Sequence, residues 1–208
     1  MMKNVYLAFI AIIAFTSCSK KNDPGLNSNY ITISGTNYSI VVIGSQNWTS
    51  VNYNGGGGVN YNNGANDPVN GKLYTIAEAQ AVKLPNGWHL PTPADFNTLL
   101  VSIGAVYKYQ INGNYYVSGD LSVKLMSKTG WTGTEGTNQS GFNAQPVGMY
   151  TGRPDNQPTP SGLATYFVVD PPSNNDLPSF SVAPSYAELE YVLYDASARR
   201  PVRFVKDN

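Results

Sequence analysis

A single cysteine, Cys18, follows an apolar run after two intervening residues, and its being the only one limits how the chain can be stabilised. One thiol cannot close a disulfide within the chain, so the folded part must depend on its hydrophobic core. The run from Val5 to Phe15 has 11 apolar or aromatic residues, begins soon after Lys3 and ends before Thr16-Ser17. This pattern predicts a secretory signal peptide over residues 1–17, because the run is too short to cross a bilayer as a helix.

Small residues directly before a cysteine resemble the lipobox of bacterial lipoproteins, in which the cysteine is lipidated and becomes the new N-terminus. Phe15 departs from that pattern, which favours Leu at this position. The alternative is a secreted protein with an unused cysteine, but a lone thiol would be a liability in an oxidising compartment. Lipidated Cys18 predicts attachment to a membrane, with residues 18–29 as a polar tether and residues 30–208 as a single domain. The expected location is the outer membrane, facing the periplasm or the exterior.

The composition favours an extracellular β-rich protein over a nucleic-acid-binding protein. Charged residues make up 12% of the chain, the formal net charge is zero, and there are 15 tyrosines. Soluble domains usually contain about 25% charged residues. No basic run or patch is present, so nucleic acid is excluded as an expected partner. Tyrosine offers an apolar ring with a hydroxyl at its edge, which suits a polar but uncharged surface.

Two helices are predicted from their capping residues. Thr75 and Glu78 form an S/T-x-x-E capping box, with an apolar face that continues to Leu84. Thr92 precedes Pro93 at the first helical position and opens the second helix. The second helix should present a core-facing stripe at i, i+3, i+4 and i+7, formed by Phe96, Leu99, Leu100 and Ile103.

Most of the remaining chain predicts short strands. Tyr38 to Ile43 is mostly apolar, which predicts a strand buried on both faces. Asn112-Gly113 between apolar segments predicts a hairpin. Asn52 to Asn70 predicts a long loop, in which Gly55 to Gly58 indicate flexibility because no phosphate-binding context surrounds them. Leu121 to Ser127 fits a short helix or a strand. The predicted strands are Tyr30–Ile33, Tyr38–Ile43, Gln46–Val51, Val106–Ile111, Asn114–Val117, Val147–Thr151, Ala164–Asp170, Leu189–Tyr194 and Val202–Val205. Helices early in the chain followed by mostly antiparallel strands predict an α+β fold.

One motif is specific to a family. The sequence GWHLPTPADFNTLL resembles the helix–loop–helix signature of the Fibrobacter succinogenes major paralogous domain, which is common in secreted and lipid-anchored proteins of the Bacteroidetes and Fibrobacter groups. The segments that carry the resemblance are, in order, Ile43–Tyr53, Gly71–Ala79, Gly87–Leu100, Leu125–Tyr150 and Arg199–Asp207.

That family is similar in turn to C-type lectin-like folds and to formylglycine-generating enzymes. The resemblance implies a twisted antiparallel sheet with two helices beside it and long loops at one edge. It does not imply formylglycine chemistry, since that activity uses a cysteine pair with a metal and Cys18 is assigned to lipidation. Lectin-type disulfides are absent as well, and Ala164 to Asp170 replaces the family's usual Trp-Trp-Ser-Ser segment.

The titratable residues give few catalytic options. His89 is the only histidine, so no zinc cluster with several histidines can be completed, and a hydrogen bond to the loop backbone is its expected role. Glu188 and Glu190 share a face if their segment is a strand. Such a pair fits a glycosidase, a calcium site or an ordinary solvated strand face.

The candidate ligand-binding residues lie on a proline-rich loop and the strand after it: Tyr150, Arg153, Asp155, Asn156, Gln157 and Tyr166. Residues 154–158 contain the residue types of a lectin calcium site but not their order, so no metal and no cofactor is expected. Tyr150 and Tyr166 also fit a role as core residues.

The sequence favours a lipid-anchored, non-catalytic binding protein whose ligand is a glycan or a surface protein. Loops on a rigid sheet would supply aromatic stacking and amide hydrogen bonds. The alternatives are a structural or adhesion component that docks another subunit and an enzyme, for which no nucleophile, base and orienting group can be assembled.

Overall fold

Strands provide most of the regular structure in the computed structural model, which describes residues 29–61, 67–108, 113–151, 162–171, 178–191 and 196–208. Its strands are β1 (Tyr30–Ile33), β2 (Thr36–Ile43), β3 (Gln46–Thr49), β4 (Val59–Asn60), β5 (Lys72–Tyr74), β6 (Tyr107–Lys108), β7 (Tyr115–Ser118), β8 (Thr165–Val168), β9 (Ser179–Ala183), β10 (Tyr186–Glu190), β11 (Arg200–Pro201) and β12 (Val205–Asp207). Its helices are α1 (Ile76–Gln80), α2 (Pro93–Ser102) and α3 (Gly119–Ser122). None of the helices in these residues is long and apolar enough to span a bilayer.

The strands form three sheets, and neighbouring strands within each sheet are antiparallel. A four-stranded sheet has the order β1-β2-β3-β12, a five-stranded sheet the order β6-β7-β10-β9-β8, and a three-stranded sheet the order β11-β5-β4. The closing strand β12 returns to pair with β3 near the start of the domain. The mixed, mainly antiparallel architecture confirms the expected α+β class.

The largest core cluster lies between α2 and the inner face of the five-stranded sheet. Phe96 of α2 stacks on Phe180 of β9 with ring centroids 4.2 Å apart. Trp48 of β3 adds its ring 5.2 Å from Phe96, which brings the four-stranded sheet into the same core. The predicted stripe on α2 is confirmed, since its four apolar residues are all buried.

A second cluster joins the four-stranded and three-stranded sheets through tyrosines. The ring of Tyr53 lies 5.4 Å from Tyr38 of β2 and 5.2 Å from Tyr74 of β5. Tyr74 donates a hydrogen bond from its hydroxyl to the Gly55 carbonyl. The glycine run therefore includes a defined backbone contact rather than acting purely as a flexible segment, and Asn52 to Asn70 contains the short strand β4.

The predicted capping box of α1 is confirmed, and α2 also has one between Thr92 and Asp95, but α1 is shorter than predicted. Thr75 accepts a hydrogen bond from the Glu78 backbone, and Glu78 accepts one from the Thr75 backbone. The helix nevertheless ends at Gln80, so Leu84 lies beyond it. Pro85 disfavours helical geometry for the residue before it, and Leu84 instead packs against the tyrosine-containing cluster.

The prediction that Tyr38 to Ile43 is buried on both faces is wrong. Tyr38 and Ile43 are buried, but Val42 is 61% exposed. β2 lies inside an antiparallel sheet that covers the core with one face and meets solvent with the other, so an apolar run need not be buried throughout.

The predicted strands in the C-terminal half are partly displaced. Residues 147–151 form isolated bridges at Gly148 and Tyr150 instead of a strand, because Gly148 has a φ of 64° and breaks the extended backbone. The sequence prediction missed β9 and placed the following strand at Leu189 to Tyr194, whereas β10 ends at Glu190. Of the strand predicted at Val202 to Val205, only Val205 lies in a strand, as the first residue of β12.

Candidate functional site

A straight row of polar and aromatic side chains crosses the outer face of the five-stranded sheet. The strand registers align Tyr107 with Tyr116, Tyr116 with Glu188, Glu188 with Ser181, and Ser181 with Tyr166. We call this surface the tyrosine–glutamate face and define it by Tyr107, Tyr116, Tyr166, Tyr186, Glu188 and Glu190.

The alternation of β10 explains why these side chains point outward. Ala187 and Leu189 are buried in the main core, while the residues on either side of them are half-buried on the opposite face. Because side chains along a strand alternate between faces, Glu188 and Glu190 lie on one face. The sequence prediction for this pair is confirmed by the pairing of β10 with β9.

The centre of the face is a hydrogen bond between a buried serine and a carboxylate, with two tyrosine hydroxyls nearby. Ser181 donates from Oγ to Glu190 Oε1 over 2.6 Å. The Tyr186 hydroxyl lies close to Ser181, and the Tyr166 hydroxyl lies close to Tyr186.

The glutamate charges act on the two tyrosine hydroxyls of this face. Burial and then the Glu190 carboxylate raise the pKa of the Tyr166 hydroxyl. Burial, followed by the charges of Glu190, Tyr166 and Glu188, also raises the pKa of Tyr186. Both phenols therefore stay neutral over the physiological range and keep their hydrogens for donation.

A buried serine adds an unused polar group next to Glu190. Ser179 lies in register with Glu190 on the neighbouring strand, so both side chains point to the outer face. It is fully buried, and its Oγ has no hydrogen-bond partner in the described parts of the chain. Buried hydroxyls are normally satisfied, so this one is an exception. It does not meet solvent, because its neighbour Val168 on the same face lies in the second core cluster.

The predicted binding loop falls mostly outside the described residues, as does Cys18. Arg153, Asp155, Asn156 and Gln157 lie in the range 152–161, which the structure does not describe.

The structure separates the two tyrosines of that prediction. Tyr150 is 3% exposed and packs with Leu73 and Val147, which favours the core role for this residue. Tyr166 is half-buried and belongs to the tyrosine–glutamate face.

His89 takes part in the structural network of the helix–loop–helix motif, but not through the expected bond. Its backbone pairs with Val205, whereas its ring Nε2 lies 3.2 Å from Asp95 Oδ2. The other oxygen of Asp95 accepts from Gln46 Nε2 over 2.9 Å. The histidine side chain therefore contacts a carboxylate that also caps α2 and ties it to β3, instead of the loop backbone.

The described residues offer no cluster of metal-ligating side chains. Across the described ranges, no group of three His, Cys, Asp or Glu side chains converges. The sequence prediction missed Tyr107, Tyr116 and Tyr186 because their alignment depends on strand register. The alternating sequence YAELE from Tyr186 to Glu190 was the one local pattern that indicated an outward polar face.

Comparison with known proteins gives one match. The family model of the Fibrobacter succinogenes major domain matches residues 26–206. No curated protein and no solved structure matches the chain.

Proposed function

The chain belongs to the Fibrobacter succinogenes major domain family, and we propose that it is a lipid-anchored envelope protein whose domain binds a glycan on the tyrosine–glutamate face. The row from Tyr107 to Tyr166 across five strands carries this proposal. The anchor at Cys18 and the outer-membrane location are supported by the apolar run and the small residues before the cysteine.

The chemistry of the face favours a glycan over a protein surface. Its side chains are tyrosines, glutamates and the small residues Ser118, Ser179, Ser181 and Ala183, with Val168 buried at one end. Protein interfaces usually have an apolar centre, and the exposed or half-buried residues of this face are not aliphatic. A sugar presents apolar C–H faces to aromatic rings and hydroxyls to polar groups at the ring edges.

The geometry suits an extended ligand that lies across the strands. Four strand spacings separate Tyr107 from Tyr166, which is about 19 Å. Tyr107 and Tyr116 offer aromatic rings at one end, and the hydroxyls of Tyr166 and Tyr186 with Glu190 offer hydrogen-bond partners at the other. Because the groups stand on paired strands, binding requires little ordering of the protein.

The arrangement of the two glutamates favours binding without catalysis. Residues two apart on a strand are separated by about 6.8 Å, which lies within the range of glycosidase carboxyl pairs. A glycosidase places its two carboxyl groups on either side of the scissile bond, whereas Glu188 and Glu190 stand side by side on one surface. They would meet the same side of a bound sugar.

The mainly antiparallel sheets with helices beside them are compatible with the C-type lectin-like fold, which we propose for this domain. Support comes from the packing of α2 against β7 and β10, and from the return of β12 to β3 near the start of the domain.

A docking function is the second candidate, and the edge strand β1 favours it. β1 pairs with β2 on one side and forms the edge of the four-stranded sheet. Edge strands can accept an additional strand from a partner. β1 also directly follows the proposed tether, so a docked subunit would be held close to the membrane.

The glycan proposal is tested with the full chain, solubilised in detergent, on a glycan array. We expect Tyr107→Ala to weaken binding of the array's best ligand by about 5- to 10-fold, from the loss of one ring contact. Tyr107 is 77% exposed, so the melting temperature should not change. Tyr30→Ala is the matched control, since Tyr30 is also exposed but lies on another sheet. An array without a ligand, or equal weakening by both variants, would contradict the proposal.

A further inference from the structure

The row of side chains from Tyr107 to Tyr166 runs directly beside a covered part of the same sheet face. Val168 lies two residues after Tyr166 on β8 and pairs with Ser179 of β9, so both side chains share the outer face with the row. Both are buried, and Val168 belongs to the second core cluster. The part of the molecule around this cluster, which includes residues of β1, β2 and β5, therefore covers the face on one side of the row.

The row itself is accessible from one end to the other. Tyr107 is exposed, and Tyr116, Glu188 and Tyr166 are half-buried. Ser181 is buried, so the contacts available to a ligand come from the other four residues of the row. The accessible surface is therefore a strip that follows a covered border, and it is not a broad open plane.

The strip also turns along its length, because the strands of a sheet twist in one sense. Neighbouring strands are rotated relative to each other by about 20–25°. The row crosses all five strands of its sheet, from β6 to β8. Over these strand spacings the face turns by roughly 90°, so the side chains at the two ends of the row point in different directions. A flat, rigid surface cannot contact both ends at once.

A single glycan chain meets both conditions. Its sugar units rotate about the glycosidic bonds, so the chain can follow a row that turns. One chain is also narrow enough to lie along the covered border. A crystalline glycan instead presents many chains packed into a flat, rigid surface, which would meet the border on one side and lose contact with one end of the row.

We propose that the tyrosine–glutamate face binds single, unbranched glycan chains along the row from Tyr107 to Tyr166 and discriminates against crystalline glycan surfaces. This inference rests on the proposed glycan-binding function and adds the length and the physical state of the ligand to it. A sugar unit is close in length to one strand spacing, so the row spans about four or five units.

The test measures dissociation constants of the full chain in detergent for β-1,4-linked polymers of glucose, of mannose and of N-acetylglucosamine. Each polymer is used as soluble oligomers of increasing length, as a swollen amorphous solid and as a crystalline solid. For at least one polymer we expect the affinity to rise about 10-fold from two to five units and then to level off, as for one or two added ring contacts.

The two solid forms test the discrimination against crystals. The amorphous solid should bind with the dissociation constant of the longest oligomer, and the crystalline solid about 10-fold more weakly, because contacts at one end of the row are lost. Dissociation constants are compared because swelling a solid raises its binding capacity without changing the affinity of each site.

Tyr107→Ala tests whether the row sets the preferred length. The variant removes the ring at one end, so the affinity should level off at a shorter oligomer, and the longest oligomer should bind about 5- to 10-fold more weakly. Tyr30→Ala removes an exposed ring on another sheet and should keep the wild-type length profile. Equal dissociation constants for the amorphous and crystalline solids, or the same length profile in Tyr107→Ala and wild type, would overturn the inference.

The outcomes also distinguish this inference from the proposed function. Binding that is independent of oligomer length and crystalline order, but is weakened by Tyr107→Ala, would overturn the selection of single chains and leave glycan binding in place. A branched ligand on the array, without binding of the three polymers, would have the same meaning. Absence of binding to the three polymers, together with an array that shows no glycan ligand, would overturn both.

Discussion

Arg203 is a fully buried charged residue that joins distant segments of the chain. Its guanidinium donates to Asn52 Oδ1 and to the backbone carbonyls of Thr49, Phe142 and Asn143. Burial lowers the pKa of this guanidinium, but acceptors around the planar group compensate for its desolvation. The closing segment, identified in the sequence by RRPVRFVKD, is thereby tied to β3 and to the long loop after α3. Sequence alone could not assign this role, because the acceptors are mainly backbone carbonyls distant in the chain.

Glu78 shows how one residue can serve a cap and an ion pair at once. Burial alone would raise the pKa of its carboxyl, but the Thr75 backbone N–H and the Arg199 guanidinium outweigh burial and hold the pKa below its ordinary value of 4.5. A lowered carboxyl pKa stabilises the fold above pH 4.5, and this contribution is lost as the pH falls through the folded-state pKa.

We therefore expect Glu78→Gln to lower the free energy of unfolding at pH 7 by roughly 0.5–1 kcal/mol, since this pair is partly exposed. Glutamine can still complete the capping box, so the loss reports the charge. Urea titrations at several pH values should show the difference between variant and wild type shrinking as the pH falls below 4.5 and through the folded-state pKa. The exposed Glu135→Gln serves as the control for removal of a charge. A difference that persists at acidic pH would mean that the carboxylate charge is not its source.

At the scale of elements, local signals predicted α2 far better than the strands of the C-terminal half. Thr92, Pro93 and the apolar stripe all act within one helix, so its start and its buried face follow from neighbouring residues. The outward face of β10 depends on its pairing with β7, which is distant in the sequence, and with β9, which was not predicted. The segment Tyr186 to Glu190 shows the alternation of polar and apolar residues in the sequence. The position of this segment relative to Tyr107 and Tyr166 is set only when the sheet assembles.

The edge strand β1 gives a test of the docking function at this scale. Asn29 accepts a backbone hydrogen bond from Ile40, and strand alternation then turns the Thr32 N–H away from β2. Thr32→Pro should remove an edge donor and abolish capture of a partner that adds a strand, while an edge position tolerates proline with a small loss of stability. Thr32→Val is the matched control, since it keeps the N–H. If membrane extracts yield the same cross-linked partner with both variants, strand addition at β1 is contradicted.

At the scale of the whole molecule, the family and the α+β class were accessible from sequence, whereas the tyrosine–glutamate face was not. The segments quoted for the resemblance lie within residues 26–206, which the family model matches, except for the final Asp207. Recognition therefore rested on residues such as Gly87 to Leu100 that fix the fold. In the structure this motif serves packing: Asp95 caps α2 and binds Gln46, and Phe96 stacks in the core. The candidate binding residues lie on strands outside that motif, where family recognition gives no information about a ligand.

The proposed anchor determines how the whole domain would meet its ligand. Lipidation at Cys18 would place the tether of residues 18–29 between the membrane and β1. Cys18→Ala should move the protein from the membrane to the soluble fraction and abolish labelling by radioactive palmitate, because acyl chains are the proposed source of membrane affinity. Cys18 lies outside the domain, so the variant should keep the melting temperature and glycan affinity of the wild type. Unchanged membrane partitioning of Cys18→Ala would contradict the anchor, and a parallel loss of glycan affinity would show that Cys18 also supports the binding domain.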